Sequence, residues 1–152
     1  IRASGEAETQ ADVLVASENV TFCLSEARLG LLPATIAPYV VRAMGAQAAR
    51  RYFTTAERFS AAQAQAMGMV HELCTSAELD ARVAGIVATL VANGPAAVRA
   101  CKMLVRDVAG QPITDALRAE TARRIADIRA SDEGREGVAS FLNKRKPAWL
   151  TA

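Results

Sequence analysis

The chain has 152 residues, 51% of them hydrophobic and 22% charged, an ordinary globular composition that excludes a disordered or low-complexity polymer. Eighteen Lys and Arg against 16 Asp and Glu leave a net charge of +2, too balanced for a dedicated nucleic-acid binder, and no apolar run approaches the ~18 residues of a membrane span. Thirty-three alanines against 5% aromatic residues favour helix but bury little area each, so the core is expected to be thin and to need a partner surface.

The chain opens on Ile1 in place of Met, which reads as a piece of a longer polypeptide. Ile1-Arg2-Ala3 with Ser4-Gly5 fits a strand end entering a loop. Asp12–Ala16 is a short apolar run stopped by Ser17-Glu18-Asn19, a buried strand and then a turn. Val20–Leu24 mixes β-branched and aromatic residues and reads as a second strand. From Pro33 onward the strand signals almost stop.

Helices with legible punctuation follow. Pro38 starts one that Gly45 closes after Met44, and Ala46–Phe53 adds another turn or two. Ser60 caps Ala61–Met67, which Gly68 stops. Thr75 with Glu78 forms a capping box opening a helix to about Asn93. Its Leu79, Val83, Ile86, Val87, Leu90 and Val91 recur at three- and four-residue steps as one apolar stripe. Gly94-Pro95 breaks that helix and starts the next, which carries Val98, Met103, Leu104 and Val105. A helix over Thr114–Ala130 puts Leu117, Ile125 and Ile128 inward and Arg118, Arg123, Arg124 and Arg129 outward. The last runs from about Ser131 to Lys144, and Pro147 ends the order.

Cys23, Cys74 and Cys101 are odd in number and lack C-x-x-C spacing, so they read as buried thiols in a reducing, cytoplasmic compartment; no metal site is expected. His71, the only histidine, has no nucleophile motif beside it and reads as a structural or exposed residue.

The stretch Phe22-Cys23-Leu24-Ser25-Glu26-Ala27-Arg28-Leu29-Gly30-Leu31-Leu32-Pro33 resembles the middle of the enoyl-CoA hydratase/isomerase (crotonase) family, where a short strand ends in F-x-x-x-E-x-x-x-G-x-x-P. The resemblance continues through Arg42–Gly45, Thr55–Ala61, Ala64, Gly68-Met69-Val70, Glu136-Gly137 and Phe141–Pro147. Each motif is weak alone; their order over residues 12–147 is what makes the match specific. Pro33-Ala34-Thr35-Ile36-Ala37-Pro38-Tyr39-Val40-Val41 looks like the branch acting on methylglutaconyl-type acyl-CoAs. Ala56 stands where the family generally has glycine, which should alter a turn and leave the chemistry alone.

The resemblance implies an incomplete α/β crotonase-like fold of the ClpP/crotonase spiral class, represented by roughly its C-terminal half, mainly helical with a few short strands near the start. Residues 1–34 would be a remnant of the strand-bearing core, and residues 35–152 a helical portion for oligomerisation and CoA contact. The implied function is a lyase of the enoyl-CoA hydratase type, in fatty acid or branched-chain catabolism. Its substrate is an acyl-CoA thioester and it needs no cofactor. A homo-oligomer is implied, a trimer or dimer of trimers, with no membrane and no nucleic acid as partner.

Adding water to a conjugated thioester requires a polarised carbonyl, a base for the water and an acid for the α-carbon. The family supplies the first with backbone N–H groups from glycine-rich loops, and this sequence contains no G-G-G run. Each such donor is worth on the order of 3 kcal/mol. Glu26 matches the family's acid/base glutamate. Phe22, Leu24, Leu29 and Leu31 give it the apolar company that suits a proton donor. On position alone it would be a solvent-facing glutamate before a turn.

Glu6 stands six residues before Asp12, the register of a second family glutamate, while its polar flanks favour the other reading, a loop residue in coincidental register. Phe141 and Lys144 resemble the family's contact with the adenine and phosphate end of CoA. A ring three residues before an ammonium shares a helix face with it. Lys144-Arg145-Lys146 alone reads more readily as a solvated helix end complementing the dipole. Three rivals stand beside hydration: an isomerase using one carboxylate, an inactive helical assembly module, and RNA binding through the basic tail.

Overall fold

The computed structural model describes residues 11–150, and the chain divides into two compact units, Ile1–Ala84 and Gly85–Ala152. The expectations for Ile1–Gly5 and Glu6 lie outside the described residues.

In the first unit, strand β1 (Val15–Ser17) pairs in parallel with β4 (Glu72–Cys74), Val15 opposite Glu72 and Ser17 opposite Cys74. Strand β2 (Thr21–Phe22) pairs antiparallel with β3 (Phe59–Ser60), placing Phe22 opposite Phe59. Both N-terminal strands are shorter than their apolar runs predict. The strands also do not stop at Pro33. β3 and β4 span only two and three residues, too few for a period-two pattern to register in the sequence. A parallel pair needs a long crossover, and the connection from β1 to β4 carries the helices of this unit.

Helix α1 (Ala37–Thr55) has Pro38 in its first turn and is broken at Gly45, whose φ of 80° and ψ of 155° no helix accommodates. The predicted stop at Gly45 is therefore real, and helix resumes beyond it. Val40, Met44, Ala49 and Tyr52 are its buried residues. Helix α2 (Ala61–Ala66) begins with a full capping box: Gln63 N–H donates to the Ser60 hydroxyl, and Ser60 N–H donates to Gln63 Oε1. The core gathers Ala16, Phe22, Val40, Met44, Tyr52, Phe59, Ala61, Ala64 and Val70. At its centre the Phe59 ring lies 5.4 Å from that of Phe22 and 4.3 Å from that of Tyr52. Alanines and three aromatic rings share this core with Val40, Met44 and Val70, the valines being its largest fully buried side chains.

Helix α3 (Leu79–Val91) carries the chain into the second unit. It starts later than the capping-box reading implies: Glu78 reaches back to Thr75 N–H, and the Thr75 hydroxyl donates to the same carboxylate oxygen. Helices α4 (Pro95–Val108), α5 (Asp115–Ala130) and α6 (Asp132–Leu142) follow, then a 3-10 turn, Ala148–Leu150. Gly94 caps α4 and Pro95 starts it, as read from the sequence.

The predicted apolar stripes do not form a core. Val87, Leu90, Met103, Val105 and Ile125 are about half or more exposed, and α3, α4 and α5 contain no buried residue. Arg124, expected outward, is half-buried between Asp107 at 2.8 Å and Glu120 at 2.8 Å. Polar contacts hold this unit instead. The Glu133 carboxylate accepts from Ala96 and Ala97 N–H at the α4 N-terminus (3.0 and 2.8 Å), and Trp149 Nε1–H donates to Ala92 O at 3.1 Å. At Gly134 the backbone of α6 passes so close to Ile128 that a Cβ would collide with the Ile128 carbonyl oxygen.

The cysteines are free, but only Cys74 is buried; Cys23 is half-buried and Cys101 exposed, so the expectation of three buried thiols is corrected.

Candidate active site

Glu26 opens a four-residue 3-10 turn, Glu26–Leu29, reached from β2 through Cys23, Leu24 and Ser25. Gly30, at φ 71°, reverses the chain, and Leu31 N–H donates back to Glu26 O at 3.0 Å. The turn packs against α1. Glu26 Oε2 is buried and has no hydrogen-bond partner among the described residues. A buried carboxyl oxygen without a partner is costly, and functional sites are where proteins tolerate that cost. Its chemistry is simple: the oxygen can give a proton to, or take one from, a molecule seated against it.

The apolar company predicted for Glu26 is only partly there. Phe22 is buried and Leu24 half-buried, but Leu29 is 74% and Leu31 62% exposed, because the reversal at Gly30 turns both toward solvent.

Two donors near Glu26 converge on one acceptor. Arg28 Nη2–H donates to the Ala56 carbonyl oxygen at 2.6 Å, and Cys23 Sγ–H donates to the same oxygen at 3.4 Å. Ala56 is 1% exposed and sits at φ 50°, the left-handed region that glycine enters freely and alanine does not. The turn keeps the glycine-type conformation with alanine in place.

In the second unit Phe141 stands in the last turn of α6, 82% exposed. The expected helix to Lys144 ends at Leu142, so the shared-face argument for Phe141 and Lys144 does not apply. They are joined by the helix ending itself. Lys144 N–H donates to Phe141 O and Arg145 N–H to Ser140 O, a Schellman ending with Lys144 at φ 51° in the position glycine usually takes. Within the basic run, Arg145 is committed to Glu136, with Nη1 to Oε1 at 2.5 Å and Nη2 to Oε2 at 2.7 Å. Sequence reasoning missed this pair and the Arg28–Ala56 contact, since neither follows helical or strand spacing.

His71 is exposed, and its Nδ1 accepts from Leu14 N–H at 3.0 Å beside the β1–β4 pairing. Among the described residues no cluster of three or more His, Cys, Asp or Glu side chains is placed to hold a metal ion.

The profile of the enoyl-CoA hydratase/isomerase family matches residues 6–151. The chain belongs to that family. The fold is crotonase-like. A solved enoyl-CoA hydratase from Shewanella pealeana superposes with a TM-score of 0.90 at 41% identity, over 95% of this chain and 54% of that one. An enoyl-CoA hydratase/isomerase (crotonase) from Legionella pneumophila gives 0.91 at 39% identity, over 95% and 56%. Among curated relatives, carnitinyl-CoA dehydratase of Escherichia coli K12 is 28% identical over 151 residues, covering 91% of this chain and 55% of the relative. The chain thus spans about half the length of the curated relatives it matches.

Proposed function

We propose that the full-length protein is a hydratase-type lyase that adds water across the double bond of a 2-enoyl-CoA, with Glu26 as acid/base. The observation that carries this is the buried, unpartnered Oε2 of Glu26 at the start of the Glu26–Leu29 turn. Water oxygen bonds to C3, the C2–C3 double bond opens, and C2 takes a proton; Glu26 Oε2 moves a proton in that exchange. The reaction also requires backbone donors to polarise the thioester carbonyl, a part the family assigns to glycine-rich loops that this sequence does not contain. No cofactor enters, and the protein would work in the cytoplasm, a compartment that suits its three free thiols.

The motif from Pro33 to Val41 supports a branched, methylglutaconyl-like acyl group. Similarity to carnitinyl-CoA dehydratase supports the reverse reaction, water loss from a β-hydroxyacyl-CoA. Phe141 and Lys144, both exposed at the end of α6, are read as the contact for the adenine and phosphate end of CoA. The exposed apolar faces of α3, α4 and α5 support a homo-oligomer, a trimer or dimer of trimers, in which copies of the chain cover one another. On this reading residues 1–34 bring the acid/base and residues 35–152 the CoA contact and the oligomer faces, in a C-terminal half of the fold.

Turnover of crotonyl-CoA, 3-methylglutaconyl-CoA and carnitinyl-CoA by wild type and Glu26→Gln is the test. The variant should lose on the order of 10²-fold or more in kcat. Unchanged hydration would remove Glu26 from the mechanism. Conversion of a 3-enoyl-CoA to its 2-enoyl isomer without hydration would favour the isomerase, which also needs only one carboxylate. No turnover of any thioester would leave the assembly-module reading.

A further inference from the structure

We infer that Arg28 is a positioning residue for Glu26, acting through the carbonyl oxygen of Ala56; the inference rests on the role of Glu26 proposed above. A four-residue 3-10 turn has too few internal hydrogen bonds to hold itself. Ser25, at its N-cap, gives it no side-chain hydrogen bond, and Leu29 and Leu31 are too exposed to pin it by burial. The unpartnered Oε2 of Glu26 meanwhile pulls toward water. Something must oppose that pull.

Arg28 supplies the opposing contact. Its guanidinium reaches the Ala56 oxygen, a charge-assisted bond from two residues after Glu26, while the Cys23 thiol reaches the same oxygen from three residues before it. The turn is therefore held on both sides of the carboxylate. The acceptor is itself fixed: Ala56 is buried, and its own N–H donates to Tyr52 O at 3.1 Å at the end of α1. Tyr52 packs on Phe59 in the core. Glu26 is thereby tied to the aromatic core through one carbonyl.

In the full-length enzyme, Arg28→Met should lower kcat about tenfold or more while KM for the acyl-CoA stays within about threefold, the signature of a displaced catalytic group. Arg28→Lys, which keeps one donor, should recover part of the loss. In a Glu26→Asp background, Arg28→Met should cost much less than in wild type, because it acts through Glu26. Hydrogen exchange at the Leu31 amide, which donates to Glu26 O, should quicken about tenfold in Arg28→Met while the amides of α2 hold. If Arg28→Met does not fold, Arg28→Lys carries the same measurements at smaller amplitude. An equal loss of kcat in both backgrounds, or unaltered Leu31 exchange, overturns the inference. A dead Glu26→Gln beside a normal Arg28→Met overturns the positioning role alone; a fully active Glu26→Gln overturns the acid/base reading as well.

Discussion

Glu136 and Arg145 form a two-pronged ion pair across nine residues of sequence, and the same carboxylate accepts Ala148 N–H at 2.9 Å. The Arg145 hydrogen bonds, helped by the Ala148 amide, lower the Glu136 carboxyl from 4.5 to about 2. A carboxyl depressed in the folded state contributes stability above its unfolded value and loses it as pH falls through the folded one. Urea midpoints of wild type and Glu136→Gln should therefore differ by a constant amount above about pH 4.5 and converge between 4.5 and 2. A gap that persists to pH 2 would mean the ion pair is not its source.

Phe59 touches both Phe22 and Tyr52 and is 2% exposed. Phe59→Ala should cost about 3–5 kcal/mol, since so thin a core has few large side chains to collapse into the cavity. Equilibrium unfolding measures it; a cost below about 1 kcal/mol would contradict the packing described.

Lys144 yields two effects of opposite sign. Lys144→Gly relaxes the left-handed position of the Schellman ending and should stabilise the fold by about 1 kcal/mol. If Lys144 meets a CoA phosphate, the same variant should raise KM for acyl-CoA. Lys144→Ala should raise KM without the stabilisation. Destabilisation by glycine would refute the conformational half, and an unaltered KM the binding half.

Gly134 and Gly137 lie one turn apart in α6 but differ in what a side chain would meet. Gly134→Ala drives a methyl into the Ile128 carbonyl and should cost about 1–3 kcal/mol. At Gly137 the added Cβ would stand 3.2 Å from the Trp149 ring, a side chain that can move, so alanine there should cost less. Thermal melts of the two variants give the order; the reverse order would refute it.

Much of the helical order was legible because it is local. Gly45, Ser60, Gly68 and Gly94-Pro95 each act within a few residues, and the structure keeps all four signals. β3 and β4 were not legible: each is defined by a partner strand far along the chain, not by its own pattern. The stripes of α3 to α5 showed which faces are apolar but not whether anything covers them. At the candidate site the glutamate was legible through its flanking motif. Its support was not: Arg28 finds Ala56 across 28 residues, and a backbone carbonyl carries no side-chain signature.

The clasp between Glu133 and the first turn of α4 has a consequence for synthesis. The amides it satisfies belong to Ala96 and Ala97, and the carboxylate arrives 37 and 36 residues later in the chain. Translation proceeds from the N-terminus, so α4 leaves the ribosome with its leading N–H groups open to water. They gain their acceptor only when α6 follows. Unlike α5 and α6, whose first turns are capped by Thr114 and Ser131 just before them, α4 closes backwards, and a nascent chain halted before Glu133 would hold it with a frayed start.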